Sequence, residues 1–225
     1  MHGSDAFRIK YNEENINEVE EFLDTSIEKR IFLISSVRGA APDEIAKVIK
    51  YIDSIKSRGF QVYYPSRHTF QDTPSVLTIM NTNKYIIKHS GKIHIFYNPA
   101  SEGSVVDLGM TFANQKKLTL ANPEVLRNKL LDYISLFVKK YSNHTLKYGE
   151  STFVNKMLEE KQRLTTLDEY VVTWNGRNKE DLFKLGMAFG FDLPIVLANK
   201  KDVVQTEKKS PENFLLELDA RYSSK

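Results

Sequence analysis

The sequence predicts a mixed α/β chain built on a mostly parallel sheet, and three observations lead there. Ile31-Phe32-Leu33-Ile34 is a continuous apolar run, the pattern of a strand buried on both faces. Strand-like runs at Phe60–Tyr64, Ile93–Tyr97 and Lys117–Leu120 follow it, separated by stretches of helical periodicity. Successive strand–helix units need crossover connections, so the strands lie parallel with helices on both faces. The polar loops Ser35–Ala40, Pro65–Thr69 and Asn98–Ser104 all follow strands, at the edge where such sheets hold ligands.

Taken in order, Asn12 to Arg30 carries Ile16, Val19, Phe22, Leu23 and Ile27 at helical spacing. After the first strand, Pro42-Asp43-Glu44 opens a helix to about Arg58, with Gly59 at its end. Thr73 to His89 is a helix with Ile79, Ile86 and Ile87 on it and the polar group Asn81-Thr82-Asn83-Lys84 inside it. Ile93 to Tyr97 is a strand stopped by Asn98-Pro99, and Val105 to Ala113 reads as the next helix. Pro123 to Tyr141 is helical, Ser142 to Glu150 a polar turn region, Ser151-Thr152 the cap of a helix to about Leu164, and Glu169 to Trp174 a strand.

An echo follows. Leu185-Gly186-Met187-Ala188-Phe189-Gly190 repeats Leu108-Gly109-Met110-Thr111-Phe112-Ala113 at a distance of 77 residues, and a strand at Pro194–Ala198 comes after it. Lys184 takes the place of Asp107 and Glu180 that of Gly103, so this copy reads as an extension of the sheet without a site. Pro211 to Arg221 closes the chain as an amphipathic helix through Phe214, Leu215 and Leu218. The architecture predicted is three-layer α/β/α, flavodoxin- or Rossmann-like, with an added C-terminal βαβ extension. No long Gly/Ser/Pro linker interrupts it, so residues 1–225 read as a single domain with a core at 31–120 and an extension at 121–225.

The totals narrow the function. No apolar run reaches the roughly 20 residues of a membrane span, and Met1–Lys10 has no signal-peptide core, which predicts a cytoplasmic protein with no membrane partner. The absence of cysteine excludes disulfides, thiolate metal sites and cysteine nucleophiles, and the five histidines form no ligand-spaced pair, so no metal is expected. A net charge of +3, with no basic block, gives no support for a nucleic acid polymer as partner.

Two loops carry chemistry. Ser35, Ser36, Arg38 and Gly39 leave the first strand and enter a helix, where unpaired N–H groups and the helix dipole favour an anion, and Arg38 adds a fork of donors. Ser101, Gly103 and Ser104 form a second such cradle, and Asp107, read as lying in the first turn of the following helix, sets a carboxylate beside it. Each has a plain alternative: the serines cap helices, and an acid in a first turn stabilises its helix without catalysis. His68 is either a surface loop residue or a substrate contact, and Asn83 either an exposed helix residue or part of the site.

Beyond the residues themselves, Phe32–Gly39, Gly59–Pro65 and Ser101–Ala113 together resemble the nucleoside 2-deoxyribosyltransferase superfamily, which includes deoxynucleoside monophosphate N-glycosidases. Ser36-Val37-Arg38-Gly39 is similar to the Ser-x-Arg-Gly of the N-glycosidase branch. Gly103 with Asp107-Leu108-Gly109 matches the family's Gly followed four residues later by Glu-Leu-Gly, with Asp standing for the nucleophilic Glu. Ser101 falls at the phosphate-binding Ser, and Asn83 is the nearest match to a second family acid. The likeness spans about Ile31 to Leu120 and is strongest to bacterial members bearing Gly-Ser-x-x-Asp-Leu-Gly-Met-x-Phe-Ala, which singles out Met110 as well.

The resemblance implies cleavage of the N-glycosidic bond of a nucleoside or nucleoside 5′-monophosphate. Ser36, Arg38 and Ser101 would hold a phosphate, Asp107 would face the anomeric carbon and Asn83 would orient sugar or base. No cofactor or metal is needed, and relatives of this kind form homo-oligomers. A nucleotide-binding or sensing module that has lost turnover is the alternative the same residues leave open.

Overall fold

A computed structural model describes residues 9–38, 40–98, 100–123, 133, 136–137, 152–176 and 178–223. The structure is mixed α/β around a parallel four-stranded sheet. Among the described residues no helix is long and apolar enough to cross a membrane.

The leading amphipathic stretch does not form one helix. A 3₁₀ turn at Glu13–Asn15, capped by the Asn12 side chain, precedes helix α1 (Ile16–Asp24), and Thr25 turns extended before a second 3₁₀ turn at Ile27–Lys29. The Thr25 hydroxyl donates to Glu21 O (2.9 Å), closing the helix locally. Val19 and Phe22, three residues apart, are the side chains α1 buries.

Strand β1 (Arg30–Ile34) divides its apolar run between two cores. Ile31 and Leu33 pack with Val48 and Ile55 of helix α2 (Pro42–Lys56), while Phe32 and Ile34 face the larger cluster on the opposite side. That two-sided burial is why the run lacks polar alternation. Gly59 ends the α2 turn at φ +80°, a conformation costly for other residues, and the chain enters β2 (Gln61–Tyr63). Where the sequence suggested a loop, Pro65–His68 forms a single helical turn, α3.

Helix α4 (Val76–Lys88) begins at Ser75, whose hydroxyl accepts from Thr78 N. Its first turn also receives the Glu217 carboxylate, which accepts from Val76 N (2.9 Å) and Leu77 N (2.8 Å). Strand β3 (Lys92–Ile95), helix α5 (Glu102–Ala113) and strand β4 (Lys117–Leu120) complete the sheet. Its order is β2-β1-β3-β4, every pairing parallel. From β1 the chain crosses to one neighbour, β2, and then to the other, β3, so helices diverge and a crevice opens beyond the ends of these two strands.

The second half does not extend this sheet as the sequence suggested. After α6 (Thr152–Leu164), strand β5 (Tyr170–Val172), helix α7 (Lys179–Gly190) and strand β6 (Ile195–Leu197) make a separate two-stranded parallel sheet, with α8 (Pro211–Tyr222) packed on β6. The halves meet through helices instead. α5 lies on α7 so closely that a Cβ on Gly109 would come 2.1 Å from Phe183 O, and one on Gly186 2.2 Å from Val106 O. These two contacts are images of each other under a shift of 77 residues, the signature of a local two-fold axis between the helices. The predicted helix at Pro123–Tyr141 and the turn at Ser142–Glu150 lie largely outside the described residues; Tyr133, Leu136 and Phe137 join the main core.

Candidate functional site

At the carboxyl ends of β1 and β3 the crevice deepens into a cleft of about 240 Å³. That is a little below the roughly 300–1,000 Å³ usual for small-molecule sites. Ser35 and Arg38 come from the loop after β1, Asn83 from α4, and Ser101, Gly103, Ser104 and Asp107 from the start of α5. Lys209, Ser210 and Phe214, from the C-terminal segment, close the remaining side.

The floor is Asp107. The sequence placed it in the first turn of its helix; α5 starts three residues earlier, at Glu102, which puts Asp107 in the second turn, away from the free N–H groups. It is 6% exposed, and this burial pushes its carboxyl up to about 7. Asn83, equally buried, donates from Nδ2 to Asp107 Oδ1 (3.4 Å) and opposes that rise.

The upper wall is polar and cationic. The Ser101 hydroxyl caps α5, accepting from Ser104 N and from the Ser104 hydroxyl (2.8 Å), so the positive end of a 12-residue helix faces the cleft. A Cβ added at Gly103 would meet open space. Arg38 donates from Nη1 to Lys209 O (2.9 Å), tying residues 171 apart in sequence, and Lys209 Nζ in turn reaches Gln71 O. Burial draws both cations' pKa values down, Lys209 also because Arg38 stands beside it. Ser35 Oγ is buried at the end of β1 with no hydrogen-bond partner among the described residues.

Several candidates lie elsewhere. Ser36 does not line the cleft: its hydroxyl donates to Arg38 O (2.9 Å) and shapes the turn that presents Arg38. His68 is turned back by the α3 turn, its Nδ1 accepting from Tyr64 N (2.9 Å), so Nε2 carries the proton toward Glu18 (3.3 Å). Burial lowers its pKa to about 4, keeping it neutral, and it faces α1 across a different groove. Met110 is fully buried one turn below Asp107, where α5 meets Gly190 of α7. Gly39 lies outside the described residues.

Sequence reasoning missed Lys209, Ser210 and Phe214. Phe214 was visible as one apolar position of a closing amphipathic helix, but nothing local to residues 209–214 signals a contact with the loop after β1. No known family, no curated protein and no solved structure matches this chain.

Proposed function

We propose that the chain cleaves the N-glycosidic bond of a nucleoside 5′-monophosphate or nucleoside, by hydrolysis or by transfer of the sugar to a second base. The observation that carries this reading is Asp107: a carboxyl buried at the floor of a cationic cleft and titrating near neutrality. Buried acids so poised are characteristic of sites that move protons. Arg38, Lys209 and the N-terminal end of α5 suit a phosphate, and Ser35 supplies an unmatched hydroxyl. The likeness of its motifs to the nucleoside 2-deoxyribosyltransferase superfamily and the parallel sheet of order β2-β1-β3-β4 support the same reading.

In hydrolysis, ionised Asp107 takes a proton from the water that adds to the anomeric carbon. The C1′–N bond breaks as that bond forms, its electron pair leaving with the base, and the carboxyl then returns the proton to the departing nitrogen. A pKa near 7 suits both halves of that exchange. A second base presenting an N–H in place of water gives transfer. Until it takes that proton, the carboxylate also stabilises the positive charge developing on the sugar.

The test is incubation with nucleosides, deoxynucleoside monophosphates and NAD, reading free base by chromatography, with Asp107→Ala as control. Release that disappears in the variant supports the enzyme. Asn83 favours one second reading: an amide where the superfamily has an acid leaves Asp107 the sole carboxyl of the Asn83–Asp107 pair, as in a nucleotide-binding module without turnover. Saturable binding with no release supports that module.

A further inference from the structure

Asn83 reaches Asp107 only with its amide turned one way, and the structure supplies a buried reason for that orientation. The Thr69 hydroxyl donates to Asn83 Oδ1 (3.2 Å), which leaves Nδ2 to donate to Asp107. Thr69 has a single hydroxyl proton, so the Tyr63 hydroxyl, 2.9 Å away, is the donor to Thr69 Oγ1. All four side chains are at least nine-tenths buried. Tyr63 stays protonated because burial raises its pKa far above its ordinary value.

The elements holding this chain are fixed independently of the cleft. Thr69 follows the α3 turn, its N–H donating to Pro65 O (3.1 Å), and bridges to Tyr11. Tyr63 sits in β2 with its ring stacked on Phe32 and edge-on to Phe22. A flipped Asn83 would turn its carbonyl toward Asp107, losing that bond and opposing the carboxylate with a second acceptor, and its NH₂ could pair with Thr69 only if the Thr69 and Tyr63 hydroxyls both reversed.

We propose that Tyr63 and Thr69 are positioning residues for Asp107. Their hydrogen bonds run one way, from Tyr63 to Thr69 to Asn83 to Asp107, and fix the amide as a donor that favours the ionised carboxylate. Neither touches substrate. This rests on the reading of Asp107 as the reacting group, yet its test needs no turnover.

The measurement is the Asp107 pKa by carbon NMR of the side-chain carboxyl, in wild type, Thr69→Val, Thr69→Ser and Asn83→Leu. Arg38 on the β1 loop, Lys209 on the C-terminal segment and Glu102 on α5 are the charged groups around the cleft, and every variant retains them. Thr69→Val shifts the pKa upward by about one unit, Thr69→Ser restores it, and Asn83→Leu shifts it at least as far. Adding Thr69→Val to Asn83→Leu shifts it no further. If Thr69→Val does not fold, Tyr63→Phe carries the test with a smaller upward shift. An unmoved pKa in the folded variant, or equal shifts with Asn83 present and absent, overturns the proposal. Shifts as described in a protein that releases no base leave the positioning role standing and defeat the glycosidase.

Discussion

The two halves of the chain share a frame and differ in what the frame holds. Asn122 clamps Tyr97 through its backbone N (2.8 Å) and O (2.9 Å), and 77 residues on Asn199 clamps Trp174 in the same way (2.8 and 2.8 Å). Gln115 and Asp192 both follow their helices with positive φ, at 54° and 62°. Ser101 and Asn178 cap α5 and α7 by accepting from the residue three further on. At the position of Asp107, however, stands Lys184, paired with Glu180 (2.6 Å), which also holds Lys156 (2.7 Å).

The second half has thus filled with satisfied ion pairs the place where the first keeps a buried carboxyl. The frame needs glycines, asparagine clamps and caps; it does not need the acid. Raising Asp107 from 3.8 to about 7 costs about 4 kcal/mol of stability at neutral pH. The sign follows from protons bound: between those values the folded chain holds a proton that the unfolded chain has lost. Stability is therefore highest on the acid side and is lost as pH rises from about 4 through 7. A group held at such cost, with no counterpart in the second half, is what the proposed function would account for.

This contrast can be broken experimentally, beginning where it is sharpest. Asp107→Asn should abolish base release, by about a thousandfold or more, while raising unfolding free energy at pH 8 by about 2 kcal/mol or more. Activity and denaturant melts together read the opposite signs. A loss of both would make Asp107 structural. Gly109→Ala and Gly186→Ala, whose added methyls each meet a backbone carbonyl, should each cost about 2–4 kcal/mol, and near-equal values would support the two-fold packing. Gly103→Ala, which meets nothing, should leave stability unchanged or raise it by about 0.5 kcal/mol.

Asn122→Ala and Asn199→Ala remove matching pairs of backbone hydrogen bonds and should cost about 1–3 kcal/mol each by thermal or chemical unfolding. A small effect is also expected for Lys184→Met. Its ion pair with Glu180 is partly solvated, so the loss should stay below about 1 kcal/mol, in contrast to any change at Asp107.

Much of the frame was legible in the sequence because it is encoded locally. The Ile31–Ile34 run, Pro42 at the head of α2, Gly59 behind it and the 77-residue echo each state their structure within a few residues. The start of α5 was misplaced by three residues because Glu102-Gly103-Ser104 reads as a loop, whereas Ser101 caps them into the first turn. That displacement carried Asp107 away from the helix end, and burial, which no local pattern shows, raises its pKa. His68 was lost to a one-turn helix too short for periodicity to reveal. The separate second sheet and the Arg38–Lys209 tie depend on how halves distant in sequence dock, which no local pattern specifies.

The most direct measurement is the pH dependence of base release from a deoxynucleoside monophosphate by wild type and Asp107→Asn. Release should climb through a midpoint near pH 7 as the carboxyl ionises, and the variant should lose that limb together with the activity. Release that is unaltered by the substitution, or that shows no rise across this range, would contradict the account.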